Sequence, residues 1–366
     1  MVSKKIVNEI MDSIAPLKLA MEWDNCGLIV DANDEYSGIL VCLDVTKKII
    51  DEAIEKGCNL IVSHHPALFS KINKISKDDV VFYAVSKKVS IYSAHTNMDL
   101  AENGLNQKLA EDMGLKNISS FEDLSFHDYK KIVVYAPSME AEKIKASLSS
   151  AGAGMIGEYS ECMYESKGVG SFRPSDRANP SVGKKGKLER VEETRIECIC
   201  PVDRVSDAIL LVKQAHSYEE PAIDVIPLEY PNFDVSLGRI GFLEKQLTIE
   251  EFVNIVKKNL CIEGVRVCGD LKRKIKKVAV CCGSGGDMIC AAKAKGADML
   301  FTGEAKHNHY IDAVNSDIVL VEAGHYNTEK QFMEIVIRSL QEAFDSIQCN
   351  VAVAPAKAEE CPYEVI

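Results

Sequence analysis

Four histidines stand where apolar, strand-like runs give way to loops: His64 and His65 in "IVSHHPALF", His95 in "SAHTNMDL" and His325 in "EAGHYNTEK". Carboxylates accompany them at one spacing, Asp99 four residues after His95 and Glu329 four residues after His325. Neighbouring side chains of a strand point to opposite faces, so His64 and His65 can serve one site only if the strand ends there. Pro66 turns the chain away at that point. Imidazoles mixed with one or two carboxylates suit Zn, Fe, Mn, Ni or Co, whereas Ca and Mg prefer shells of oxygen alone. Three imidazoles and two carboxylates exceed the three protein ligands of an ordinary catalytic zinc. They match two divalent ions ~3.5–4 Å apart with one shared carboxylate. The pattern places Glu329 as the bridge and His64, His65, Asp99 and His325 as the other metal ligands. His95 is left to face the substrate or to support a ligand. Glu304 in "TGEAKHNHY" is the candidate general base to a metal-bound water, or else a support for a ligand.

The elements that must position these residues read as α/β. "SGILVCLDV" is a strand, "TKKIIDEAIEKG" an amphipathic helix, "CNLIVSHH" a second strand and "VSIYSAHTNMDL" a third. The last third repeats the pattern with "KKVAVCCGSGG", "ADMLFTGE" and "DIVLVEAGH" as strands, then a helix from "TEKQFMEIVIRSLQEAF" in which Thr328 and Gln331 are spaced as a capping box. Asn327 and Thr328 are expected to open that helix, with Glu329 in its first turn. Such alternation predicts mostly parallel sheets, with sites at the carboxyl ends of strands. Between the halves, roughly 126–245, the texture changes to a Gly/Ser/Lys/Glu-rich stretch followed by "TRIECICP" and "VSDAILLVKQAH", a separate α+β unit. The expected domains are thus 1–125 with 246–366, and 126–245.

Composition narrows the class. There are 43 basic and 55 acidic residues, a net charge of −12, and no Lys/Arg run interleaved with aromatics, so nucleic acid is not an expected partner. No run of ~18 apolar residues and no signal-type start occurs, which predicts a cytoplasmic protein with no membrane partner. The thirteen cysteines have neither disulfide-framework nor zinc-knuckle spacing and read as buried thiols. "CCGSGGD" is neither a dinucleotide nor a P-loop fingerprint, leaving a tight strand-to-helix turn. "WDNCGL" holds the only tryptophan, with Asp24 or Asn25 placed to orient a ligand. Lys306, Arg173 and Arg239 are the scattered cations available for a phosphate.

The ordered set "WDNCGL", "CLDVT", "IVSHHPALF", "SAHTNMDL", "CCGSGG", "DMLFTGE" and "EAGHYNTEK" resembles the Nif-three-like family, also called GTP cyclohydrolase type 2 homologs or dinuclear-metal-centre proteins. "GVGSFRP" and "AHSYEEPAIDVIPLE" are similar to the PII-like, ferredoxin-like insertion of its longer members. The resemblance implies two α/β halves forming one domain, a homohexamer, and metal ligands at His64, His65, Asp99, His325 and Glu329. It also implies a metal-dependent hydrolase acting on a small molecule such as a nucleotide; taken literally, the label means opening of the guanine ring of GTP with loss of formate. The alternative is a non-catalytic hexameric scaffold or regulator whose insertion binds an effector. Two departures stand out: Asn308 where the family often has a second adjacent histidine, and Ser217 in place of a proline of the insertion's signature.

Overall fold

The computed structural model describes residues 1–69, 74–121, 129–157, 159–228 and 235–363. The chain divides into two compact units, Met1–Leu124 with Phe233–Ile366, and Ser125–Asn232.

The first unit carries two main sheets. In one, Ala352–Pro355, Gly38–Cys42, Leu60–Ser63 and Ser90–Ser93 run parallel in that spatial order, and Gly27–Val30 pairs antiparallel at the edge. In the other, Lys274–Cys281, Met299–Thr302 and Val319–Glu322 are parallel. Antiparallel strands Arg266–Cys268, Arg239–Thr248 and Lys116–Ser120 extend its flanks. Gly38–Cys42, Leu60–Ser63, Met299–Thr302 and Val319–Glu322 are short, mostly apolar and buried throughout, as strands covered on both faces are. One hydrophobic core joins the sheets, with Val41, Val62 and Tyr92 from the first packed among the same cluster as Val280, Phe301 and Val321 from the second. The main unit resumes before residue 245, because Arg239–Thr248 is hydrogen-bonded into its second sheet.

The second unit runs strand Tyr129–Pro137, helix Ala141–Ser150, strands Tyr164–Phe172 and Glu189–Pro201, helix Val205–Ala215 and strand Ile223–Pro227. Its four strands form an antiparallel sheet whose spatial order puts the last strand beside the first. Ile196, Cys198 and Cys200 alternate with less buried residues and turn one face of that sheet onto Ile144, Leu148 and Val212 of the helices.

The expected capping box is not formed. His325–Glu329 is a separate one-turn helix, and the long helix begins only at Phe332, with no side-chain cap on Gln331. Glu329 therefore closes a short helix and is buried, instead of lying in the first turn of a long one. The Thr328 hydroxyl donates to the His325 carbonyl at 2.9 Å and accepts from the Gly283 amide at 3.1 Å, so it ties this turn to the "CCGSGG" loop.

Candidate metal centre

The parallel strands of both sheets deliver their carboxyl ends to one place. Leu60–Ser63 ends immediately before His64 and His65, Ser90–Ser93 just before His95, Lys274–Cys281 before Cys282 and Gly283, Met299–Thr302 before Glu304, and Val319–Glu322 before His325. This is where ligand sites of parallel sheets form.

Each of the four histidines is held by Nδ1. His64 Nδ1 donates to the Ala94 carbonyl at 2.9 Å, and His65 Nδ1 to Asp44 at 2.9 Å. His95 Nδ1 meets Asp24 at 2.9 and 3.0 Å, and His325 Nδ1 meets Glu304 at 3.0 Å. Anchoring Nδ1 fixes the ring and leaves Nε2 as the atom that can accept a metal, and an anionic anchor makes that nitrogen more basic. The rings crowd together, with centroids 5.0 Å apart for His64–His65, 5.2 Å for His64–His95 and 5.5 Å for His65–His325.

Glu329 stands among the free nitrogens. Its Oε2 lies 3.1 Å from Nε2 of His65 and 3.1 Å from Nε2 of His325, while its Oε1 lies 3.7 Å from Nε2 of His64. Asp99 Oδ1 is 3.8 Å from the same His64 nitrogen. Ligand atoms that share one ion at ~2.0–2.2 Å are separated by about this much. Glu329 Oε2 and His64 Nε2 are buried with no hydrogen-bond partner among the described residues, although Glu329 is only 3% exposed and His64 fully enclosed. Buried polar atoms are normally satisfied, so these two orphans, surrounded by ligand-type atoms, fit a divalent ion. His64, His65 and His95 form one group able to hold a metal, and His65, His325 and Glu329 another.

The electrostatics agree. Burial works against charging His65, but the Asp44 and Glu329 carboxylates outweigh it and push the ring up to about 10. His325, beside Glu329 and against its own burial, rises to about 9. Glu329 is held well below the usual carboxylate range: its burial is overcome by His325, His64 and His65. Asp99 goes the other way, raised chiefly by burial. The Cys282 thiol donates to Asp99 Oδ1 at 3.2 Å, and burial pushes that thiol far up, so it serves as a neutral donor.

Of the residues singled out in the sequence, His64, His65, Asp99, His325 and Glu329 converge, and His95 joins them as a neighbour of His64 and His65. Glu304 meets His325 Nδ1 at 3.0 Å, the supporting position of the two that its sequence context offered. Asp24 orients His95 and also accepts from the Thr96 amide at 3.0 Å. His309 is tied to Asp287 at 2.9 Å and His307 sits on the surface; neither belongs to a metal-capable group. Arg239 does not wait for a phosphate: buried, it donates to the carbonyls of Ser236, Gly238, Leu100 and Ala101. Arg173 donates to the Gly186 carbonyl in the second unit. Sequence reasoning assigned no role to Asp44, although "CLDVT" puts it two residues past a strand end. It also gave none to Cys282 or to Gly283, at which a Cβ would come within 2.2 Å of Glu329 Oε1. No disulfide joins the described cysteines, and no helix among the described residues is long and apolar enough to cross a membrane.

A two-sheet α/β protein with a His/Glu centre able to hold metal is the class these features define. The chain belongs to the DUF34/NIF3 (NGG1p interacting factor 3) family, whose model matches residues 2–362. It is 37% identical over 360 residues to a Bacillus subtilis protein named GTP cyclohydrolase 1 type 2 homolog, covering 97% of this chain and 96% of that one. A Halalkalibacterium halodurans protein of the same name is 35% identical over 365 residues, with 98% of each chain covered. Among solved structures, a Bacillus cereus protein related to NIF3 superposes with a TM-score of 0.78 at 37% identity, covering 100% of this chain and 99% of that one.

Proposed function

We propose that the protein is a dinuclear divalent-metal hydrolase acting on a small molecule, a nucleotide among the candidates its relatives' name suggests. The observation that carries this reading is the common anchoring of four imidazoles by Nδ1, three of them around one buried carboxylate whose two oxygens face different histidines. In this reading His64, His65, Asp99 and His325 would hold the two ions, with Glu329, which faces three of these side chains, shared between them. Zn, Fe, Mn, Ni and Co all suit this donor set. Bound there, two such ions would lower the pKa of a water toward neutrality and supply hydroxide for attack on an electrophilic centre. The chain's own groups do the rest. Asp44, Glu304 and the Ala94 carbonyl keep three ring nitrogens aimed inward. His95, held by Asp24 at Nδ1 with Nε2 unspent, can carry a proton to or from a substrate atom at Nε2.

The βαββαβ succession of the second unit supports its reading as a PII-like, ferredoxin-like insertion. A cavity of about 320 Å³ within it, lined by Tyr135, Phe172, Glu193 and Tyr218, favours the second reading, a metal-bound regulator with an effector site. A homohexamer in the cytoplasm completes the proposal; a disulfide-free set of thirteen cysteines supports that compartment.

The test is metal content per chain by mass spectrometry on protein purified without added metal, with hydrolytic turnover followed on the same sample. Two ions per chain are expected, and Glu329→Gln is expected to lose at least one. No metal after reconstitution, or unchanged content in Glu329→Gln, overturns the centre.

A further inference from the structure

The sheet of the second unit turns Ile196, Cys198 and Cys200 toward its helices, so alternation puts Tyr135, Phe172 and Glu193 on its other face. The cavity of about 320 Å³ lies against that other face. Two stretches of sequence that the metal centre leaves unused build its walls: Gly170, Phe172 and Pro174 come from "GVGSFRP", and Tyr218, Glu219 and Glu220 from "AHSYEEPAIDVIPLE". These walls are fastened to one another. The buried His216 accepts from the Tyr218 amide at Nδ1, 3.0 Å away, so its Nε2 carries the proton and donates to the Tyr135 carbonyl at 3.0 Å. One neutral ring thereby ties the Tyr218 loop to the sheet. The Asn179 amide donates to Glu219 at 2.7 Å and fastens the segment around Pro180 to the same loop. Inside, the Tyr218 hydroxyl donates to Glu193 Oε1 at 2.9 Å, and the Phe172 and Tyr218 ring centroids are 5.8 Å apart at 57°. Gly170 makes room for the other carboxylate oxygen, since a Cβ there would fall on Glu193 Oε2.

The chemistry of this lining is one-sided. Three carboxylates, Glu193, Glu219 and Glu220, and three aromatic rings, Tyr135, Phe172 and Tyr218, line the cavity, and no lysine or arginine is among the described residues that do. Arg173, which interrupts the first stretch, donates instead to the Gly186 carbonyl. An anion would meet like charge here. A hydrated metal ion would have to give up its water against rings and prolines. An alkylated ammonium suits both kinds of wall, because it offers carbon surface to the rings, whose faces attract cations, and positive charge to the carboxylates. We infer that the cavity binds a small organic cation with an alkylated ammonium head, its charge held between Glu193 and the rings of Phe172 and Tyr218. The inference deepens the regulator reading above by giving its effector a chemical class, and it uses nothing of the metal centre.

The probe is choline, and the control is dimethylbutanol, its neutral isostere with carbon in place of nitrogen. Both are titrated into the full chain and followed by saturation-transfer NMR with irradiation of the protein's aromatic protons. The choline methyl signal should saturate, and dimethylbutanol should bind about tenfold or more weakly. Glu193→Gln keeps an acceptor for the Tyr218 hydroxyl and removes only the charge; it should weaken choline about fivefold or more and leave dimethylbutanol unchanged. Phe172→Leu, which keeps apolar packing and removes a ring, should weaken choline about threefold or more. No saturable choline signal, equal affinity for the two probes, or an unchanged choline curve in both variants overturns the site. Metal content on the same samples separates the two claims. A metal-loaded chain that ignores choline sinks only this site, whereas choline binding by a chain that cannot be loaded keeps the site and sinks the metal-bound regulator.

Discussion

Asp44 offers the sharpest perturbation of the centre, because it is joined to the proposed ligands only through His65 Nδ1. Carboxylates of this kind typically contribute 10–100-fold to metal affinity, about 1.4–2.7 kcal/mol. The structure says where within that range each variant should fall. His64 is anchored by a neutral carbonyl at 2.9 Å, the same distance at which His65 is anchored by Asp44, so a neutral acceptor suffices to orient a ring here. Asp44→Asn can keep an oxygen in place and loses only charge, which its half-exposed position already lets solvent screen. Its cost should sit near the low end, about tenfold. Asp44→Ala removes the acceptor itself, frees the ring to turn, and should approach about 100-fold. A zinc titration against a chromophoric chelator resolves two binding steps, and the loss should fall on the step that uses His65. Wild-type affinity in both variants, or equal losses on both steps, would refute the idea that these anchors set ligand geometry ion by ion.

Two further outcomes follow from the same geometry. Gly283 has φ +55° and a Cβ there would stand 2.2 Å from Glu329 Oε1, whereas Gly57 has φ +70° and open space around it. Gly57→Ala should cost about 1–2 kcal/mol of backbone strain and keep full metal content; Gly283→Ala should cost more and lose metal, read by thermal unfolding and mass spectrometry, and full metal in Gly283→Ala would contradict the placement of Glu329. Stability should also respond to pH with opposite signs in the two forms. In the metal-free fold His65 and His325 are raised to about 10 and about 9, so their protonation stabilises it fully below about pH 6.5, and that contribution is lost as pH climbs through those values. An ion needs the rings neutral, so proton competition fades over the same interval. The melting-temperature gap between zinc-loaded and metal-free protein should therefore widen from pH 6.5 to 9; a constant gap would refute it.

How much of this is legible in the sequence follows from what kind of signal each residue leaves. Strand ends are visible because short apolar runs stop at polar residues, and that put His64, His65, His95, Glu304 and His325 at the rims of their sheets. The sequence also showed that two halves alternate strand and helix, but it could not show which strands would be neighbours; the crossing of Ala352–Pro355 into the first sheet leaves no local trace. Glu329 is legible from its spacing to His325, but its helix is not, because Thr328 and Gln331 mimic a capping box. The Thr328 hydroxyl instead spends itself on the Gly283 amide, a contact between residues 45 positions apart. Asp44, 21 positions from His65, and Cys282, 183 positions from Asp99, are of the same type. They touch ligands only through tertiary structure, and a lone aspartate or cysteine past a strand carries no spacing that would announce it. The residues that leave a spacing are those expected to touch the ion; the residues that set its affinity are scattered along the chain, and they are where substitution should tune the centre without emptying it.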